Sequence, residues 1–215
     1  VTQALGGGTV DLFWLPLGAG GRFVRFNGRA YERLVATAAR RPPLDLYHAA
    51  LEVNTLGGRF AVELTPIPRR DRSDRGVVGE GPVGCHALGR LRMFRYELHA
   101  WRGGEIPDIA EAVESPRRVA RTEPEARRIL DLLPSVPMLT WGRDEMGFGE
   151  MWNSNSVIAW LLARADLDLS VVAPPRSGRA PGWDAGIAAS RVVECRRQPL
   201  GSNLWHGSAP TPRNT

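Results

Sequence analysis

The sequence predicts an α+β domain built on a mostly antiparallel sheet, and three observations carry that expectation. Segments 44–53 (LDLYHAALEV) and 59–65 (RFAVELT) are both strand-like, and the short turn between them contains Gly57-Gly58, which reads as a hairpin. Residues 88–101 (LGRLRMFRYELHAW) read as a long strand with one apolar side, Phe94, Tyr96, Leu98 and Ala100. Residues 153–165 (NSNSVIAWLLARA) read as a strongly apolar helix opened by four capping-type side chains.

The remaining elements follow in chain order. Residues 10–17 (VDLFWLPL) form a strand, followed by a Gly-rich turn from Gly18 to Gly21 and a short apolar segment from Phe23 to Phe26. The stretch Arg29 to Arg40 has helical composition and stops at Pro42-Pro43, because proline lacks the amide a helix needs. A polar Pro/Gly loop is expected over 66–84. Thr122-Glu123-Pro124-Glu125 is a capping box with proline at an early helical position, and it starts a helix to about Leu133, ended by Pro134 and Pro137. Residues 138–152 read as loop with aromatic anchors. Beyond Asp168 the chain is rich in Pro and Gly, so 1–168 is expected to form one domain and 169–215 a wrapping arm that frays after about Cys195.

Composition narrows the function classes. The 215 residues are 43% hydrophobic and 24% charged, an ordinary globular balance that can bury a sizeable core. No apolar run approaches the ~18 residues of a membrane span, and VTQALGGGTVDLF lacks the basic start of a signal peptide, so a cytoplasmic location is expected. Cys85 and Cys195 cannot build a disulfide framework or a zinc site by themselves, and no metal or organic cofactor is implied. The net charge is +5, yet lysine is absent and all 28 basic residues are arginine, a pattern of GC-rich coding bias. Those arginines are interleaved with acids, and even the densest run, Arg69-Arg70-Asp71-Arg72-Ser73-Asp74-Arg75, carries both signs. A nucleic-acid partner is not expected.

Candidate chemistry gathers at the apolar helix. Val157, Ile158, Leu161 and Ala165 stand three, four, seven and eleven residues after Ser154, so Ser154 lies on the core-facing stripe at the end where free amides point outward. A nucleophile needs that geometry, although simple helix capping explains it too. His48 sits mid-strand between Tyr47 and Ala49, and its own face carries Leu46 and Ala50. A hairpin turn centred on Thr55-Leu56 sets His48 opposite Glu63, and one centred on Leu56-Gly57 leaves Glu63 a diagonal away on the same face. Either register brings a carboxylate near the imidazole.

This order, a strand histidine, a polar residue on the neighbouring strand, then a nucleophile opening a later apolar helix, resembles the circularly permuted papain-like hydrolases of the lecithin:retinol acyltransferase and NlpC type. Their nucleophile motif is Asn-Cys, followed by a polar residue and an aromatic; here Asn153-Ser154-Asn155-Ser156-Val157 stands in its place, with serine for cysteine and valine for the aromatic. The resemblance covers about 48–165 and implies a sheet with the nucleophile helix packed on it, and hydrolysis or transfer of an amide or acyl group. Ser154 would be the nucleophile, His48 the base and Glu63 its orienting partner; Asn155, Asn153 and Trp152 would frame the oxyanion and substrate site. A small molecule or peptide would be the substrate. The alternative is a catalytically inactive papain-like fold that binds a peptide, a peptidoglycan fragment or a lipid.

Other residues carry less. Gly18-Ala19-Gly20-Gly21 lacks the spacing of a phosphate loop, and His86 beside Cys85 lacks further ligands. His99 falls with Arg95 and Glu97 on the polar side of its strand and is expected to be solvated. Trp141, Trp152, Trp160 and Trp183 read as core or arm anchors, and Arg143-Asp144-Glu145 as a loop ion cluster or a substrate rim. The charge pattern yields a direct expectation: labelled single- and double-stranded oligonucleotides at physiological salt bind no tighter than the non-specific range of roughly 10⁻⁴–10⁻⁶ M. Tighter binding in a fluorescence titration would reverse it.

Overall fold

Strand β1 (Thr9–Pro16) is buried on both sides, because one face of the sheet is covered by helices and part of the other by a second small core. The computed structural model describes residues 7–17, 32–67, 76–170, 172–176 and 178–197. The Gly18–Gly21 turn, the Phe23–Phe26 segment, the beginning of the 29–40 helix, the charged run at 69–75 and the residues after 197 lie outside the described residues. Helix α1, described over 32–38, leads through a turn to Pro42-Pro43 and into β2 (Asp45–Thr55).

β2 and β3 (Gly58–Pro66) form the expected hairpin, closed at Thr55↔Gly58 around Leu56-Gly57. Gly58 has φ +126°, a conformation that favours glycine. The sheet continues with β4 (Val77–Pro82), β5 (Arg95–Arg102) and β6 (Arg117–Ala120) in the antiparallel order β4-β5-β3-β2-β1-β6. A two-residue strand, β7 (Gly178–Arg179), runs parallel to the start of β2. Pairing of β2 with β3 stops at Leu51↔Val62. Past that point β2 runs on against β1 and β7 while β3 runs on against β5, so the sheet forks.

Strand alternation divides the side chains cleanly. Val10, Leu12 and Trp14 of β1, with Ala49, Leu51 and Val53 of β2, face α2 (Glu123–Leu132) and α3 (Ser154–Arg164) in the main core. Phe13, Leu15, Ala50 and Ala61 face the other way and pack with Ile106. α2 begins at the Thr122–Glu125 capping box, with both reciprocal bonds formed. In α3 every residue from Ser154 to Leu162 is buried. A helix apolar all round must be covered all round. The sheet lies beneath it, α2 beside it, and α4 (Trp183–Arg197) packs along it. Each large α3 side chain buried this way contributes about 1.5–3 kcal/mol.

Several expectations are corrected. The 66–84 loop contains β4, and a further strand, β6, precedes α2. The long strand expected over 88–101 is shorter: His86–Arg90 and Arg92–Phe94 are 3-10 turns, and Leu88, Leu91 and Met93 stay exposed because no layer covers them. The expected arm is β7 followed by α4, whose Trp183 and Ala189 belong to the main core. His99 is buried, not solvated, between its strand partners Glu63 of β3 and Val77 of β4, and its Nε2 lies 3.2 Å from a Glu97 carboxylate oxygen. Among the described residues no helix is long and apolar enough to cross a membrane.

α4 approaches α3 so closely that a Cβ on Gly186 would collide with the backbone carbonyl of Ser156. Gly→Ala inside a helix ordinarily adds about 0.5–1 kcal/mol. Gly186→Ala is expected to do the reverse, lowering unfolding free energy by roughly 1–3 kcal/mol through overpacking. Urea denaturation monitored by circular dichroism reads the sign.

Candidate functional site

The N-terminus of α3 is a buried polar cluster. Asn153 is the N-cap, with extended backbone, and its Oδ1 accepts from the amides of Asn155 at 2.9 Å and Ser156 at 3.3 Å. The Ser156 hydroxyl completes a capping box by accepting from the Asn153 amide at 3.1 Å, and it donates to the Met151 carbonyl at 3.2 Å. The Val157 amide donates to the Asn153 carbonyl at 3.1 Å. Three helix-starting amides after Ser154 are therefore committed within the chain.

The two asparagine side chains then fasten this end to the rest of the fold. Asn153 Nδ2 and Asn155 Nδ2 both donate to the Pro181 carbonyl, at 2.8 and 2.9 Å. Asn155 Nδ2 also donates to the Tyr47 carbonyl at 3.0 Å, on β2 beyond the point where β3 has turned away. The forked sheet thus leaves a backbone acceptor that α3 uses. Gly182, at φ +87°, bends the chain over the cluster; a Cβ there would come within 2.6 Å of the Met151 carbonyl and of Ser156 Oγ. Its amide donates to Glu150 at 2.8 Å.

Ser154 is 5% exposed, on the helix-covered face with Tyr47 and Ala49, and its hydroxyl makes no hydrogen bond among the described residues. His48 is paired across from Leu15 and shares the face of Leu15 and Ala50, on the other side of the strand. No hydrogen bond joins the two among the described residues. The expected nucleophile and base are not brought together, because their faces are fixed by one alternating strand. Burial pushes the half-buried His48 imidazole down to about 4, and the charge of Asp108 opposes this only in part. Glu63 of β3 stands on the same face as His48, directly across from His99 of β5.

The other expected site residues are engaged within the fold. The Asn155 amide, expected as an oxyanion donor, is taken by Asn153, and Asn153 itself is the cap. Trp152 is 3% exposed and packed into the main core. In the 143–145 loop, Arg143 donates to the Gly84 carbonyl, Asp144 accepts from the amides of Phe148 and Gly149, and Glu145 accepts from Thr140. These bonds hold the carboxyls of Asp144 and Glu145 below the usual carboxylate range. Trp183 packs on Trp14 at 5.0 Å, and Trp141 on Tyr96 at 5.6 Å, as anchors. Among the described residues no group of histidines, cysteines and acids is arranged to hold a metal ion.

A cleft of about 590 Å³ opens at the Tyr47 end of the sheet, between the end of β1, the start of β2 and α1. Its walls include Leu17, Leu44, Leu46 and Val113, and among the described residues its charged lining is Glu32, Asp45 and Arg33. Glu32 is 2% exposed; Oε1 takes the Arg41 guanidinium at 2.5 Å and the Leu44 amide at 2.9 Å, while Arg179 Nη1 stands 3.8 Å from Oε2. Burial raises the Glu32 carboxyl, but Arg41, the Leu44 amide and Arg179 together hold it below the usual range. The sequence does not single out Glu32, because Arg41 and Arg179 reach it only in the folded chain. Gly182 did carry a signal, as the turn residue between Pro181 and Trp183.

Comparison with protein-family models, with curated proteins and with solved structures gives no match for this chain.

His48 makes stability depend on pH. Its folded value, about 4, lies below the ordinary 6.5, so the unfolded chain binds the proton more readily and stability falls as pH drops from 6.5 towards 4. Unfolding measured over this window is expected to show His48→Gln losing less stability on acidification than the wild type, with a difference of up to about 1.4 kcal/mol per pH unit. Parallel profiles for the two proteins would contradict the assignment.

Proposed function

We propose that this chain is a catalytically inactive domain of the permuted papain-like type that works as a binding module, taking a small molecule or short peptide into the cleft beside Tyr47. One observation carries the reading: the α3 N-terminus is closed by the chain's own Asn153 and Pro181 groups, with His48 on the opposite face of β2. A serine hydroxyl needs a base within reach at the moment of attack, and open donors where the oxyanion develops. Among the described residues no base is hydrogen-bonded to Ser154, and the amides of Asn155, Ser156 and Val157 are already taken. The order of a histidine strand, a carboxylate on the next strand and an Asn-Ser helix supports the relationship to the papain-like scaffold. The antiparallel sheet with α3 packed against it is compatible with it. The open, largely apolar cleft supports binding. A cytoplasmic location, expected from the sequence, belongs to the same proposal.

Two measurements test it. Treatment with a serine-directed fluorophosphonate is expected to leave Ser154 unmodified; labelling of Ser154 that disappears in His48→Ala would restore the hydrolase reading. In parallel, amide spectra recorded with a library of small polar and apolar fragments are expected to shift at Leu17, Leu44 and Leu46. Shifts confined to Asn153–Ser156 would place the ligand at the helix instead.

A further inference from the structure

We infer that the connection between β4 and β5 is a docking tip for an anionic phospholipid surface: Leu88, Leu91 and Met93 enter the headgroup layer while Arg90 and Arg92 meet its phosphates.

Hydrogen bonds hold this connection in shape. The Val83 amide donates to the Phe94 carbonyl at 2.8 Å and closes the base. Within it the amides of Leu88, Leu91 and Phe94 donate to the carbonyls of Cys85, Leu88 and Leu91 at 3.1, 2.9 and 2.9 Å, so three tight turns follow one another. Gly89 lies so near Pro82 that a Cβ on it would come within 2.7 Å of the ring. On this frame Leu88 is 41% exposed, Leu91 53% and Met93 60%. Single exposed apolar residues are common, but a cluster of them marks a surface that something covers. The other large apolar side chains exposed among the described residues, Leu34, Leu44, Leu56, Val77 and Ile109, are scattered along the chain.

Charge states what kind of surface fits. From Val83 to Tyr96 the chain holds His86, Arg90, Arg92 and Arg95 and no acid. Arg95 is taken by Glu80 at 2.8 Å. Arg90 and Arg92 are exposed and make no hydrogen bond or ion pair among the described residues. The residues outside the described ones do not reverse this balance: 68–75 (PRRDRSDR) carries four arginines against two aspartates, and none of the other segments has an excess of acids. Apolar and basic side chains therefore stand side by side in Leu88-Gly89-Arg90-Leu91-Arg92-Met93, ready for a negative partner with an apolar interior.

A lipid surface answers this better than a protein does. A stable protein interface takes roughly 20–30 residues a side. It also draws on aromatic anchors, and none stands among the large apolar side chains exposed on the described residues. A bilayer accepts leucine and methionine at its headgroup boundary, and arginine reaches the phosphates along its own apolar stem. None of these residues lines the cleft beside Tyr47, so docking and the cleft are separate.

The test mixes the full chain with vesicles of phosphatidylcholine alone, and with vesicles of phosphatidylcholine and phosphatidylglycerol in equal parts, and measures the bound fraction by sedimentation. Binding to the mixed vesicles is expected to be tighter by about tenfold or more. Leu91→Ser/Met93→Ser keeps every charge, and Arg90→Gln/Arg92→Gln keeps every apolar side chain; each pair is expected to weaken that binding roughly tenfold. Arg40→Gln/Arg121→Gln removes the same charge from arginines elsewhere and is expected to change it by less than about threefold. All six positions are exposed, so the fold is kept, as circular dichroism would verify. Unchanged binding by Leu91→Ser/Met93→Ser, or an equal loss in Arg40→Gln/Arg121→Gln, would overturn docking by this tip and leave diffuse attraction to arginine. Equal binding to the two kinds of vesicle, or binding to neither, would overturn it as well. Retention on immobilised polyglutamate but on neither vesicle, lost in both variants of the tip, would assign the tip to an acidic polypeptide and remove the lipid.

Discussion

The buried polar start of α3 is the constraint on which the rest of this structure depends. A helix that is apolar all round has to sit in the middle of its domain, and its first amides then lose access to water. Asn153 and Ser156 satisfy them locally, which leaves the Asn153 and Asn155 side-chain amides needing carbonyls of their own. Pro181 and Tyr47 provide these. From that requirement follow the return of the chain at 178–182, the left-handed Gly182 that lets it pass over Ser156, and the docking of α4 along the far side of α3. Each such buried amide left without a carbonyl costs about 1–3 kcal/mol, so the cluster acts as one fastening rather than as several optional bonds.

The same fastening fixes where the residues of the most suggestive motif stand. A strand presents alternate residues to opposite faces, and β2 uses Tyr47 and Ala49 to meet the helices. His48 is therefore turned towards Phe13's side of the sheet. No rotamer change corrects a one-residue offset of this kind. The fork between β2 and β3, which could have opened the region, is instead occupied by the Asn155 amide at the Tyr47 carbonyl.

Local signals made much of this legible. The Thr122–Glu125 box, the Asn153–Ser156 caps and the hairpin around Gly57-Gly58 are short-range chemistry, and each stands where the sequence puts it. Ser154 on the buried stripe was also readable, since helical spacing is local. What escaped depends on distant partners. α4 reads as an arm because Gly186 and its alanines look undirected until Ser156 is known to lie against them. β4, with its glycines and proline, carries almost no strand signature and is held by pairing with β5. His99 reads as solvated because strand alternation groups it with Arg95 and Glu97, yet in the fold it is buried. Glu32 is defined by Arg41, Leu44 and Arg179, three sites that sequence proximity does not join.

The parallel pairing of β7 with the beginning of β2 has a consequence for how the chain is made. β2 is synthesised early, and its two partners at that end, β1 and β7, come from opposite ends of the described chain. A nascent chain can therefore complete the antiparallel sheet and dock α2 and α3 while the outer side of α3 is still bare. That side stays bare until the segment carrying Pro181, Gly182 and Trp183 has left the ribosome, and the Asn153 and Asn155 amides stay wet until then. Final closure belongs to the last stretch of the described chain. A truncation before that stretch would leave an almost finished domain with its most apolar helix open to other proteins, a natural handle for chaperones and proteases.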